Sequence, residues 1–336
     1  MSKLKEGSGR ILFAYINYKD MQPFTKKDYD ILRRCYDVHP YFYKGTFHGY
    51  PDRLMIAIGV LRTDISFSDF AYANAYLCVK YANKLKRKSV VKIAGFDVAE
   101  EEVFDKTFPR DWVERLRYAL DHAGQIITCS DALKEKAQRF TEREDILVIP
   151  YGFDSAYFKP SGEKSDSVIT IGFVREDYLW RKGLETFVRA AKHLPSVRFV
   201  LVGRWVDSSI EYLKEISTPN VEFAGWVTDE RLLKYMQRAK VYVQASYHEG
   251  FGCSLAESML CGCAPVVTKR GAIPEVVGDS GYYVPYNDVD ATARAIEVAL
   301  QDGKMRELAR KRIATEFTPE KRENSLLEVI ESCLRE

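Results

Sequence analysis

Short apolar runs alternate along this chain with longer stretches in which apolar side chains recur every three or four positions, the pattern of parallel sheets wrapped by helices. In the first half the runs predict strands over 11–16, 38–43, 64–68, 90–94, 125–129 and 146–149, with helices near 26–36, 71–86, 110–123 and 131–140. Thr25 is expected to cap the first of those helices, and Ser130 with Asp131 the last, because their side-chain oxygens accept amide protons that a helix start leaves unpaired. Polar and turn-forming residues replace the apolar pattern from Tyr157 to Ser167, which predicts a linker. Beyond it, strands over 168–174, 198–202, 221–223, 240–244, 264–268 and 282–284 alternate with helices over 183–193, 208–216, 229–238, 254–262, 273–277 and 289–301. Helices over 304–315 and 319–334 close the chain, the second with Pro319 at its first turn, where an amide proton is not missed.

A chain of 336 residues is too long for one core at roughly 100–200 residues per domain, so the pattern divides into domains over 1–160 and 161–318 and a last helical segment over 319–336. Hydrophobic residues at 46% supply two cores, and disorder is excluded. A formal charge of +2 provides no long-range field for nucleic acid, which is not expected as a partner. The seven cysteines are scattered, and Cys261 and Cys263 lack the second pair of a zinc site. They read as buried thiols of a cytoplasmic protein, and the five histidines show no ligand spacing, so no metal is expected. The first ten residues, MSKLKEGSGR, hold no apolar core of a leader, and no run approaches the roughly 18–20 apolar residues of a membrane span. Lys84, Lys86, Arg87 and Lys88 allow at most peripheral contact with anionic lipid, and a solvated helix end explains them as well.

Chemistry concentrates in SYHEGFGCSLAESMLCGCAPVV, from Ser246 to Val267. The segment lies between a predicted strand and a predicted helix, so its glycines fall at the carboxyl edge of a sheet, where open α/β folds bind ligands. Gly250 and Gly252 let backbone approach a ligand, and the amides that follow, at the helix start, favour an anion such as a diphosphate. Glu249 and Glu257 bracket this turn as acceptors for hydroxyl groups. Read structurally, the same residues make a tight turn and complement a helix dipole.

Glu249, seven residues and Glu257, set in EGFGCSLAESMLCGCAPVV, resemble the paired-glutamate signature of family-4 retaining glycosyltransferases, and GAIPEVVGDSGYYV from Gly271 to Val284 is similar to that family's proline–glutamate–valine segment. The stretch from Val221 through Trp226 to Leu232 resembles its nucleotide-base loop, and Gln125–Ser130, Val148–Asp154 and Phe158–Pro160 resemble the end of its N-terminal domain, so the likeness runs over roughly 90–320. The resemblance implies an α/β GT-B fold, two Rossmann-like domains whose parallel sheets face across a cleft. The donor nucleotide sugar, a UDP-, GDP- or ADP-sugar, would lie on the C-terminal domain and the acceptor, a sugar, lipid-linked or other hydroxyl, on the N-terminal one. The last helix would cross back to the N-terminal domain. No cofactor is implied beyond the donor. By position Glu249 would hold sugar hydroxyls and Glu257 the ribose; the amides of Gly250, Phe251, Gly252, Cys253 and Ser254 would face the diphosphate, and Trp226 the base. Lys182 would act as an exposed cation on the leaving diphosphate, with Arg175, which directly follows a predicted strand, preferred over Arg181 as its partner.

Two departures from the family's pattern lie in the first half. The loop over 17–24 lacks paired glycines, and Ala94 stands where many members have histidine, leaving Asp97 as the acceptor-side candidate or as a carboxylate that caps its loop. The activity implied is transfer of a hexosyl group to a hydroxyl acceptor. The alternatives are a catalytically inactive nucleotide-sugar-binding protein and a GT-B nucleotide-sugar epimerase.

Overall fold

The computed structural model describes residues 9–16, 21–44, 50–98 and 110–335. The leader reading over 1–8 and the first half of the 17–24 loop lie outside the described residues. Contacts divide the chain into one unit running up to Tyr151 together with Glu320 onward, and a second from Gly152 to Pro319.

In the first unit the described strands are β1 (Arg10–Ile16), β2 (Asp37–Tyr43), β3 (Ile65–Asp69), β4 (Lys88–Ile93), β5 (Gln125–Thr128) and β6 (Ile146–Val148). They pair in parallel in the order β2-β1-β3-β4-β5-β6. Alternation along β1 sorts its side chains between two cores, as a pleated strand buried on both faces requires. Ile11 and Phe13 pack with Ile31 and Leu32 of α1 (Pro23–Cys35). Leu12 and Ala14 pack on the other face with Ile56 and Val60 of α2 (Tyr50–Arg62) and Leu77, Cys78 and Ala82 of α3 (Ala73–Leu85). Helices α4 (Arg110–His122) and α5 (Asp131–Ala137) complete the described helices before Tyr151.

In the second unit the strands are β7 (Ser165–Ile171), β8 (Arg198–Val202), β9 (Val221–Gly225), β10 (Ala239–Gln244), β11 (Ala264–Thr268) and β12 (Tyr282–Val284). The order is β12-β11-β10-β7-β8-β9, again parallel. Its helices are α6 (Glu176–Arg181), α7 (Leu184–Ala190), α8 (Ser209–Glu215), α9 (Asp229–Arg238), α10 (Cys253–Leu260), α11 (Ile273–Val277), α12 (Val289–Gln301) and α13 (Gly303–Glu316). Phe187 and Leu184 of α7 and Ile296 of α12 fill one core with Val168, Phe199, Val241 and Val266 from four strands.

Helix α14 (Pro319–Arg335) places Leu326, Val329 and Ile330 in the first unit's core beside Ile11 and Phe13. A buried charge cluster fastens it there. Arg322 donates to both carboxylate oxygens of Asp28, at 3.0 and 2.7 Å, and to the carbonyl of Ile149. Lys92 lies 2.8 Å from Asp28 and also pairs with Asp69. Two cations and two carboxylates balance, which is what makes their burial tolerable. Burial alone would raise the pKa of Asp28, but Arg322 and Lys92 outweigh it and hold that carboxyl below its ordinary range.

Four sequence expectations change. Thr25 sits inside α1, where its hydroxyl donates to Asp69 at 2.5 Å, and the cap position falls to Gln22, which makes no side-chain capping bond. Ser130 does cap α5, accepting from the Leu133 amide. The expected linker over 157–167 belongs wholly to the second unit, because Arg310 bonds the carbonyls of Ser155 and Phe158, Gln237 bonds that of Lys159, and β7 already begins at Ser165. The cysteines are thiols, but Cys35 is exposed and Cys253 half-buried. Helices α2 and α6 were not expected at all.

Candidate functional site

The first strand of the second unit, β7, has β8 on one side and β10 on the other, so the order of connection reverses between β7 and β10. Loops leaving two such strands part from one another, and the crevice they open at the carboxyl edge is where open α/β sheets take ligands. Lys182 follows β7 and Glu249 follows β10, so the sheet order brings them to the same place. Their side chains meet at 2.5 Å, each about one-sixth exposed.

Three backbone devices hold the two loops together. A Cβ at Gly183, which has φ +65°, would overlap the carbonyl of Ala245, so only glycine lets the β7 and β10 loops approach this closely. The Tyr247 amide then donates to the Arg181 carbonyl at 2.8 Å. From β11, the Ala272 amide donates to the Glu249 carbonyl at 3.0 Å and the Thr268 hydroxyl to the Ser246 carbonyl at 2.6 Å. Glu249 is therefore positioned by its main chain as well as by its side chain.

A buried polar relay stands behind it. The Tyr242 hydroxyl donates to Gln244 Oε1 at 2.9 Å, and Gln244 Nε2 donates to the Ser246 hydroxyl at 2.6 Å and to Glu249 Oε2 at 3.1 Å. Burial would raise the Glu249 pKa, but the charges of Lys182, Arg181 and His248, with the Lys182 hydrogen bond, hold it below the usual carboxylate range. Burial, with the negative charges of Glu249 and Glu257, pushes the Tyr242 phenol well above its ordinary value. Both glutamates thus act on one buried strand end. Sequence reasoning missed Tyr242, Gln244 and Ser246; polar residues at the end of an otherwise apolar buried strand were the available signal.

Of the other expected residues, Gly252 has φ +95° and stands at the N-cap of α10, with Cys253 and Ser254 in the first turn and Glu257 one turn on. Gly250 lies in the turn before it, while the Phe251 ring is buried between Phe153 and Phe317, so only its main chain faces the turn. Trp226 follows β9 at the same sheet edge, 66% exposed, as does Trp205 after β8, 43% exposed. Lys182 is not the exposed cation expected. Arg175 pairs at the surface with Asp177, at 2.5 and 2.6 Å, whereas Arg181 is buried with its guanidinium 4.0 Å from the Tyr178 ring centre and its charge felt by Glu249. In the first unit Asp97 is fully buried and accepts the amides of Ala71 at 2.9 Å, Gly95 at 2.8 Å and Ala94 at 3.2 Å. Burial raises its pKa despite those donors, and its visible work is to fasten its loop.

A family model described as "Glycosyl transferases group 1" matches residues 167–302, the segment that builds this crevice. O-antigen chain mannosyltransferase B of Escherichia coli is 35% identical over 138 residues, 38% of this chain and 36% of that protein. A phosphatidylinositol N-acetylglucosaminyltransferase subunit from Arabidopsis thaliana is 28% identical over 195 residues, 55% of this chain and 43% of the relative. The matched parts are therefore less than half the length of these relatives. The crystal structure of Anabaena Alr3699/HepE in complex with UDP is similar at a TM-score of 0.80 and 18% identity, covering 96% of this chain and 100% of that one. A glycosyltransferase from Rickettsia africae is similar at 0.77 and 15%, covering 98% and 99%. At these identities the likeness is one of fold, and that fold is GT-B.

Proposed function

We propose that the chain transfers a hexosyl group from a nucleotide-diphosphate sugar to a hydroxyl acceptor with retention of anomeric configuration, a reading supported by the match of residues 167–302 to the family model described as "Glycosyl transferases group 1". The observation that carries this reading is the Lys182–Glu249 pair at the β7/β10 switch point, beside the glycine turn that opens α10. A nucleotide-sugar diphosphate is two anions on a body of hydroxyls, and the loops after β7 and β10 bring a cation, helix-start amides and carboxylates to one sheet edge.

Glu249, kept ionised by Lys182, accepts hydroxyl protons of the donor sugar, and Glu257 accepts those of the ribose. The amides from Phe251 to Ser254 face the diphosphate. When the sugar–phosphate bond breaks, negative charge grows on the leaving diphosphate, and Lys182 and Arg181 stabilise it there. The buried position of Arg181 favours it over Arg175 for that role. The acceptor hydroxyl passes its proton to a leaving-phosphate oxygen on the same face, so Ala94 in place of histidine is compatible with turnover. Trp226 and Trp205, exposed at the ends of β9 and β8, offer faces for the base. The neighbour solved with UDP and UDP-glucose, and the mannosyltransferase relative, make UDP-glucose and GDP-mannose the first donors to test.

Thermal-shift titration with UDP, GDP and ADP tests donor binding, because a ligand of the folded state raises apparent stability by mass action. The anomeric configuration of the product, read by NMR, tests retention. Nucleotide binding with neither transfer nor donor hydrolysis would identify an inactive binding protein instead, and an inverted product would refute retention.

A further inference from the structure

We propose that the first unit carries a stacking site for a pyranose ring, an aromatic row built around a strained turn at Phe70. The site deepens the sugar-transfer reading and rests on it only in taking the ring held here as the acceptor's.

Sheet order places the row. In the first unit β1 has β2 on one side and β3 on the other, so the order of connection reverses between β1 and β3. The crevice at the carboxyl edge between such strands is where open α/β sheets take ligands. Phe70 directly follows β3, and Phe24 lies in the first turn of α1, between β1 and β2 in the chain. Their ring centres are 6.0 Å apart. From Phe70 the row continues to Tyr72, stacked at 5.8 Å, and on to Trp112 of α4 at 6.0 Å. Each of these rings is half-buried, packed on its neighbours and partly open to solvent.

The turn is held against the preference of its own residue. Phe70 has φ +70°, a left-handed backbone that a bulky side chain adopts only under constraint. Buried groups supply that constraint. The Asp97 carboxylate accepts the Ala71 amide at 2.9 Å while fastening the loop after β4 through Gly95. Asn74 Nδ2 donates to the Asp69 carbonyl at 3.1 Å and, on β1, to that of Ala14 at 3.3 Å. Lys92 pairs with the Asp69 side chain and lies 5.2 Å from the centre of the Phe24 ring. Asparagine or glycine would make the same turn with little strain, so folding alone gives no reason for a phenylalanine. Strain that the surroundings over-determine in this way gathers at ligand sites.

The chemistry of the row selects the ligand. A pyranose presents C–H groups on its faces and hydroxyls around its rim, so it suits aromatic faces that carry polar tips. Tyr72 and Trp112 are rings of that kind, each an apolar body with one polar end. The buried cluster behind them adds no net charge, because Lys92 and Arg322 balance Asp28 and Asp69. A neutral ring of mixed polarity fits this row better than an ion does.

The test is saturation-transfer NMR of the full chain, titrated with methyl α-mannopyranoside and methyl β-glucopyranoside. The expected result is transfer to the ring C–H protons of at least one glycoside. Phe70→Asn removes the ring and relieves the strain, because asparagine tolerates the left-handed backbone. Trp112→Leu keeps apolar bulk at the far end of the row and removes the aromatic face. Each should weaken glycoside binding about 10-fold or more, the usual effect of removing an aromatic anchor. Absence of any glycoside signal overturns the proposal, as does undiminished affinity in either folded variant. Donor binding is read separately, by thermal shift with UDP and GDP, so failure of the sugar-transfer reading and failure of this site fall in different measurements.

Discussion

Replacing Lys182 by alanine separates a catalytic from a structural role for the pair at the switch point. The ammonium lies 2.5 Å from Glu249, and both side chains are more than four-fifths buried. An exposed pair is worth about 1 kcal/mol or less, and removing one partner of a fully buried pair costs about 3–5 kcal/mol. Glu249 keeps its hydrogen bond from Gln244 and some solvent, so Lys182→Ala should cost about 2–3 kcal/mol, between those limits. The expected loss in kcat is about 10²–10³-fold, by analogy with removing one preorganised oxyanion donor. Adding Glu249→Gln removes the stranded charge, so the double variant should recover much of the stability but none of the turnover. Urea unfolding and single-turnover kinetics on the folded fraction give the two readings. If turnover in that fraction is near normal, or if the double variant restores it, Lys182 holds Glu249 in place and does nothing for the leaving group.

Glu257→Ala should weaken binding of the free nucleotide by about 1.5–3 kcal/mol in a calorimetric titration, and unchanged affinity would remove it from the site. Gly183→Ala requires a left-handed backbone and a clash with the Ala245 carbonyl; a loss of at least about 2 kcal/mol in urea is expected, with little activity remaining. Arg322→Ala strips Asp28 of its bidentate partner and should cost about 3–5 kcal/mol. Because the folded pKa of Asp28 lies below its unfolded value of about 3.9, its stabilisation is present above that pH and fades as pH falls through the lower folded value. Asp28→Asn, compared over pH 2–5 by thermal melting, should therefore lose most of that acid dependence. Activity should survive EDTA, since cationic side chains and helix amides do the work of a metal; loss on chelation that Mg²⁺ or Mn²⁺ restores would refute this.

What was legible in the sequence is what neighbours along the chain determine. Glu249 and Glu257 could be placed because a strand, a glycine turn and a helix start lie within a dozen residues, and each fixes the next. Ser130 could be assigned as a cap for the same reason. Thr25 failed because a capping hydroxyl and a buried hydroxyl look alike until Asp69, 44 residues on, is known to be its partner. The bond from Arg322 to Asp28 spans 294 positions, and neither residue carries a local signal. Helix α2 escaped for another reason: its apolar residues face both inward and outward, so the alternation that reveals a surface helix is missing. The Lys182–Glu249 pair shows what supplies the missing step. Lysine after the first strand and glutamate after the fourth say nothing of each other over 67 positions, but once the order β12-β11-β10-β7-β8-β9 is known, the loops carrying them must emerge side by side. Sheet order, which no local pattern encodes, turns two separate motifs into one site.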